Sequence, residues 1–505
     1  MAHTIIDLLA RGADGATAFS APERPPLTYG ALRAHARATV ERLNALGIGR
    51  NDRVAIVLAN GPEMASAFVA IGAGATTAPL NPAYRDEEFE FYLSDLRARA
   101  LVIEAGADSP AIAVATRLGV PVLRLTVSAG APSGLFALDG QAVGPAKSDG
   151  PAGPEDVALV LHTSGTTSRP KIVPLSQTNI TVSAGNIART LALAPADRCL
   201  NVMPLFHIHG LIGAVLSSLS AGASIYCSPG FNALKFFAWV DDAKPSWYSA
   251  VPTMHQAILA RAERNQEIVQ RMKLRLIRSS SASLPPQVMV ELEKAFNAPV
   301  IESYGMTEAS HQMASNPLPP RARKPGCVGI AAGPEIAIMD EGGAFLGTGS
   351  VGEVVIRGEN VTKGYENNPK ANESGFTKGW FRTGDQGVLD AEGYLTITGR
   401  IKEIINRGGE KISPREVDEV LLDHPAVAQA VTFAMPHAKL GEEVAAAIVL
   451  KDSAQATESE IRAFVAKRLA DFKVPRKVLF LSEIPKGATG KLQRIGLAEK
   501  LGLSA

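Results

Sequence analysis

The sequence predicts an α/β fold. A large N-terminal domain of mixed and parallel sheets flanked by helices carries a β-rich lobe, and a small α+β domain follows. Three observations predict this. The 505 residues exceed what one hydrophobic core supports. Strand-like apolar runs alternate with helically spaced ones over residues 29–104. Beyond residue 402 lies a stretch of about a hundred residues, long enough to fold alone.

Residues 29–46 carry apolar side chains at helical spacing, and 53–59 read as a buried strand. Residues 62–71 read as a helix, 76–80 as a strand, 87–95 as a helix and 100–104 as a strand, an order that builds a parallel sheet. Residues 128–155, rich in Gly, Ala and Pro, form a surface connection, because strand-like sequence resumes at 157–162. The uncharged stretch 210–234 has the length of a membrane span, but Ser217, Ser218, Ser220 and Gly222 dilute it and Pro229-Gly230 breaks it. It reads as a buried helix followed by a buried strand. Short extended segments and many glycines over 351–388 predict the β-rich lobe. A hinge at 399–402 separates domain 1–398 from domain 403–505, which carries helices at 414–422 and 458–469 and strands at 427–433, 443–450 and 477–481.

Lys plus Arg number 51 and Asp plus Glu 50, so nothing in the charge points to a nucleic-acid polymer or a membrane as partner. Cys199, Cys227 and Cys327 lack metal-ligand spacing and read as reduced thiols, consistent with a cytoplasmic location. Asp7 and Arg11 interrupt the only apolar run near the start, so no signal peptide is expected.

Four motifs carry chemistry. In Thr163-Ser164-Gly165-Thr166-Thr167-Ser168-Arg169-Pro170-Lys171, six consecutive hydroxyl or glycine residues follow an apolar strand. Such a turn offers backbone N–H and side-chain O–H donors to phosphate oxygens, and Lys171 adds a point charge. The spacing is not that of a P-loop. Tyr304-Gly305-Met306-Thr307-Glu308 joins an aromatic ring that can stack on a base to a carboxylate that can hold Mg²⁺. Thr383-Gly384-Asp385, with Gly399-Arg400 downstream, has a carboxylate suited to ribose hydroxyls. Pro485-Lys486-Gly487-Ala488-Thr489-Gly490-Lys491 delivers a lysine on a glycine-rich segment. Taken singly, the last three fit a packed tyrosine, a turn aspartate and a solvated lysine equally well.

Together, in this order, the four segments resemble the adenylate-forming superfamily of acyl-CoA synthetases, luciferases and peptide-synthetase adenylation domains. The resemblance implies ATP, Mg²⁺ and coenzyme A as cosubstrates and cofactor. It implies that the Thr163–Lys171 loop binds the β- and γ-phosphates of ATP, and that Tyr304 and Gly305 lie on one side of adenine with Ser281, Ala282 and Ser283 on the other. Thr307 would contact the α-phosphate, Glu308 hold Mg²⁺, Asp385 with Arg400 bind ribose, and His207 stand beside the acyl carboxylate. Lys491 would be the adenylation lysine, open to a lysine acetyltransferase and deacetylase. Lys402 would be the hinge of a mobile C-terminal domain that brings Gly408, Gly409 and Lys411 to coenzyme A. The chain departs from the family at Ser168 and Ile172, where most relatives have glycine; a β-branched residue at 172 is expected to be extended.

The acid itself is read from polar residues. His207, His209, Arg278, Ser280 and His311 would wall the acyl site, and a fixed guanidinium pairs with a second carboxylate. Residues 277–284, 307–311, 315–317, 78–84 and 405–414 look like the oxalyl-CoA synthetases of plants and fungi. The expected reaction is therefore oxalate to oxalyl-CoA with release of AMP and diphosphate. Malonate or another short acid is the alternative, and a carrier-protein-loading adenylation enzyme is the alternative of another class.

Overall fold

Strands that are apolar on both faces need helices on both faces, and the N-terminal third alternates the two. A computed structural model describes residues 2–142, 144–163, 170–485 and 493–503. Strand Arg53–Val57 lies between Thr76–Pro79 and Ala100–Glu104, parallel to both. Val122–Thr126 and Val157–Thr163 extend this sheet in parallel, and Ala137–Asp139 and Lys171–Ser176 close its edges antiparallel. Helix Pro62–Gly72 begins on proline, whose fixed φ suits a first turn, and Ser109 caps Pro110–Arg117. Phe89, Leu93 and Leu96 of helix Asp86–Leu96 pack with Val57, Leu101, Ile103 and Val114 in one core that also takes in Ile172. Each such side chain contributes about 1.5–3 kcal/mol on burial.

A second sheet, of nine strands among the described residues, runs from Ile330–Ala331 through His311–Ser315, Val300–Met306, Leu276–Ser279, Trp247–Ala250, Arg198–Asn201, Ser224–Cys227 and Thr17–Ala21 to Arg24–Thr28. From Val300–Met306 to Thr17–Ala21 its neighbours are parallel. The carboxyl ends of these strands therefore gather on one edge, where open α/β sheets hold their ligands. The uncharged stretch becomes a π-helical segment, His209–Leu216, running into helix Ser217–Ser220 and strand Ser224–Cys227. Among the described residues no helix is long and apolar enough to cross a membrane. Cys199 and Cys227 are buried and all three cysteines are free thiols.

The chain forms two compact units, 1–324 with 329–335 and 357–375, and 325–328 with 336–356 and 376–505. Both sheets above lie in the first. The lobe expected over 351–388 is divided, because 357–375, including helix Pro369–Gly375, packs with the first unit. Residues 399–402 lie within the second unit. Within the second unit the Ser413 hydroxyl donates to the Thr398 carbonyl, and Arg415 donates to the Ile397 carbonyl at 2.7 Å. These bonds join the strand Leu395–Arg400 to helix Pro414–Leu422. The second unit holds an antiparallel sheet around Trp380–Leu389 and, among the described residues, a five-stranded sheet, whose longest pair is Val427–His437 with Gly441–Leu450. Helix Glu458–Ala466, capped by Thr457, and helix Pro414–Leu422 cover it through Ile461, Val465, Val417 and Leu421.

Arg494 sits within the second unit between two carboxylates, paired to Asp418 and 3.7 Å from Glu403. Asp418 also accepts from the Thr432 amide at 2.5 Å. Burial holds the Asp418 carboxyl above its ordinary range, only partly offset by Arg494, whereas Asp418 and Glu403 hold the Arg494 guanidinium up against its own burial. Arg494→Met leaves Asp418 as a buried unpaired carboxylate. The expected loss is about 3–5 kcal/mol, read from hydrogen exchange of strand Val427–His437 across a urea series.

Candidate active site

The parallel strand ends bring three distant segments together in the first unit. Ser249 and Arg278 are register partners on adjacent strands, so their side chains share a face. Arg278 is fully buried. Its guanidinium donates to the His311 Nε2 at 3.0 Å, to the Gln312 Oε1 at 3.3 Å and, more weakly, to the Ser249 Oγ at 3.4 Å. None of these partners is a carboxylate, and the Arg278 Nε has no hydrogen-bond partner. Burial pushes the Arg278 pKa down to about 9, so it remains a cation at neutral pH. A guanidinium only donates, so His311 Nε2 carries a lone pair and its proton sits on Nδ1.

His209 stacks on His311 with ring centroids 4.8 Å apart. Its Nε2 meets the Ser249 hydroxyl at 2.6 Å and its Nδ1 the Ser281 hydroxyl at 3.1 Å. His207 Nδ1 accepts the His209 amide at 3.3 Å. The cluster thus links His207, His209, Arg278 and His311, four of the five residues expected to wall the acid. Ser280 stands apart, because its hydroxyl donates to the Ser303 carbonyl. Two glycines make room. A Cβ on Gly213, in the π-helical segment, would lie 2.7 Å from His311 Nε2 and 3.0 Å from His209 Cδ2. One on Gly305 would lie 1.7 Å from the His311 carbonyl oxygen. Ser281, Ser310 and His311 take φ of 73°, 50° and 97°, strained for residues with a Cβ.

Tyr304 and Gly305 lie at the end of strand Val300–Met306, and Thr307 and Glu308 in the turn Thr307–Ala309 that follows. Glu308 is buried and accepts from the Tyr365 hydroxyl at 2.8 Å. The Lys171 ammonium lies 4.4 Å from the centre of the same Tyr365 ring. Tyr365 thus connects the lysine of the hydroxyl-rich segment to the acidic residue. Thr163 pairs across the sheet with Lys171, and His162 with Ile172. Ile172 is extended as the sequence requires, and it is buried. Ala282 and Ser283 are exposed beside Ser281. Ser164, Gly165, Thr166 and Thr167 lie outside the described residues, as does Lys491.

The second unit holds the remaining candidates. Asp385 is buried and accepts from Arg400 at 2.9 Å, its partner across the sheet. Lys402 is exposed on the turn Ile401–Glu403. Gly408 and Gly409, both at positive φ, turn a hairpin between Ile405–Arg407 and Glu410–Ile412, which carries exposed Lys411. A two-residue hairpin of this kind requires glycine on its own account.

Sequence reasoning missed Ser249, Gln312, Gly213 and Tyr365. Gln312 directly follows His311, but nothing local marks its amide as a partner of residue 278. Gly213→Ala is expected to part the stacked imidazoles and cut turnover at least about tenfold, since misplacement by an ångström is costly. Steady-state kinetics alongside a thermal melt checks it; unchanged turnover means that the stack does not matter.

The AMP-binding enzyme family model matches residues 9–366, and the AMP-binding enzyme C-terminal domain model matches residues 416–491. An oxalate–CoA ligase of Arabidopsis thaliana is 48% identical over 91% of this chain and 90% of its own. One of Saccharomyces cerevisiae is 46% identical over 90% of this chain and 88% of its own. A sulfoacetate–CoA ligase of Cupriavidus necator is 36% identical over 93% and 92%. The crystal structure of ATP-bound MatB from Rhodopseudomonas palustris shares the fold with a TM-score of 0.88, at 30% identity over 99% of both chains. On the two family models and on relatives that match it almost from end to end, the chain belongs to the family of AMP-binding enzymes.

Proposed function

We propose that this enzyme activates oxalate with ATP and transfers the oxalyl group to coenzyme A, releasing AMP and diphosphate. The observation that carries the choice of acid is the buried Arg278 guanidinium surrounded by neutral partners. A buried cation without a counter-charge is costly, and a second substrate carboxylate supplies one. A fatty or aryl acid would instead call for an apolar wall. The similarity to two oxalate–CoA ligases supports the reading. So does the sulfoacetate–CoA ligase, whose acid also bears a second anionic group.

In the first step a carboxylate oxygen of the acid bonds to the α-phosphorus and the bond to diphosphate breaks. Both reactants are anions, so repulsion dominates the barrier. Lys171 and Thr163, with Ser164, Gly165, Thr166 and Thr167, hold the phosphates; Tyr304 and Gly305 face adenine across from Ser281, Ala282 and Ser283; Asp385 and Arg400 hold ribose. His207 and Thr307 orient the acid and the α-phosphate, with His209, Ser280 and His311 along the acid. Glu308 is a buried hard oxygen donor, and no cluster of three or more His, Cys, Asp or Glu that could hold a metal occurs among the described residues. That suits Mg²⁺, which binds one or two carboxylates plus phosphates and neutralises developing charge. Lys491 supplies the remaining positive charge. In the second step the coenzyme A thiol attacks the acyl carbon, its proton is lost to solvent and AMP leaves. Lys402 is the hinge for this exchange, and Gly408, Gly409 and Lys411 approach the pantetheine. Free cysteines throughout fit a cytoplasmic enzyme. Acetylation of Lys491 would remove the charge that the first step needs.

Diphosphate release across oxalate, malonate, sulfoacetate, acetate, benzoate and octanoate is expected to show the highest kcat/KM with oxalate. Release that is indifferent to the acid would refute the assignment. Lys491→Ala is expected to lower adenylation by about 10²–10³ and to spare thioester formation from supplied acyl-adenylate; equal loss in both half-reactions contradicts its role. Lys402→Pro, which fixes φ, is expected to block only the thioester step, and normal coenzyme A turnover in that variant removes the hinge.

A further inference from the structure

We infer that Gln312 determines the preference for a doubly charged acid, by holding Arg278 without neutralising it. The inference rests on the reading of Arg278 as the partner of the second carboxylate, and deepens it.

Gln312 is fully buried on strand His311–Ser315. Its amide nitrogen donates to the Ala332 carbonyl at 3.0 Å and to the Thr190 hydroxyl at 3.1 Å. A carbonyl only accepts, so the nitrogen must face Ala332 and the oxygen must face Arg278. Asn360 secures the strand by donating to the Gln312 backbone carbonyl at 3.1 Å. The guanidinium is thus gripped at Nη2 by a side chain that cannot swivel and carries no charge. Ser249 and His311 at Nη1 are neutral too. Arginine buried in a protein is ordinarily matched by a carboxylate. A glutamate at 312 would have the same length and reach, and would satisfy Arg278 internally. The amide instead leaves the positive charge for the ligand. Oxalate, with two carboxylates, then gains an ion pair that a monoacid of the same size, such as glyoxylate, does not.

The test compares oxalate and glyoxylate in the full-length enzyme, with kcat and KM measured separately by diphosphate release and folding checked by thermal melting. In Gln312→Glu the KM for oxalate is expected to rise roughly 100-fold, the scale of losing a buried charge pair, and the preference for oxalate over glyoxylate is expected to fall by at least about tenfold. Gln312→Met keeps the length and removes the polarity. Its KM for oxalate is expected to rise about tenfold, with oxalate still preferred, because the charge on Arg278 persists. A parallel fall for both acids in Gln312→Glu, or an unchanged oxalate-to-glyoxylate ratio, overturns the inference. Should Gln312→Glu not fold, loss of the oxalate preference in Gln312→Met overturns it. If the wild-type enzyme itself releases no diphosphate with oxalate, the proposed function fails first; a wild type that uses oxalate beside variants that keep its ratio sinks only the role of Gln312.

Discussion

The Arg278 guanidinium, buried and held by neutral groups, is the constraint around which the cluster of His209, His311 and Gln312 is organised. Removing such a cation from water costs several kcal/mol even after relaxation, and three neutral hydrogen bonds return only part of that. On the proposed reading, an anion would recover the shortfall. The same low dielectric that makes the empty site costly strengthens the bond to a carboxylate. On that reading the cation takes one end of a dianion and leaves the other end to react.

The surrounding backbone accepts strain to keep that arrangement. Ser281, Ser310 and His311 all lie at positive φ, at about 1–3 kcal/mol each. They follow the ends of Leu276–Ser279 and Val300–Met306. Gly213 and Gly305 take away the two Cβ atoms that would push His311 out of line. The π-helical geometry of His209–Leu216 belongs to the same pattern, since it delivers His209 onto the face of His311. Tyr365 likewise ties Glu308 to Lys171 through one ring.

Most of this fold was legible in the sequence, because its signals are local. Alternating apolar runs located Arg53–Val57, Thr76–Pro79 and Ala100–Glu104 within a residue or two, and the helix Pro414–Leu422 to the residue. The β-branched side chain of Ile172 announced an extended backbone, and it is a strand residue. Arg278 and the histidines could be named because charged residues in apolar runs stand out. What was not legible depends on long-range pairing. Gln312 reaches Arg278 across 34 positions of sequence, and Ser249 across 29. The grouping of 357–375 with the first unit depends on tertiary contacts such as Tyr365 to Glu308, which no periodicity encodes. Ser281 shows the same limit: its motif points to the nucleotide, but no local signal announces that its hydroxyl also meets His209.

Calorimetric titration of oxalate and of glyoxylate into the enzyme with a non-hydrolysable ATP analogue and Mg²⁺ bears most directly on the central claim, that Arg278 awaits a second carboxylate. The expected result is tighter binding of oxalate by at least about tenfold, the scale of one charge-assisted hydrogen-bond pair, with the difference abolished in Arg278→Met. Equal affinity for the two acids in the wild-type enzyme would contradict it.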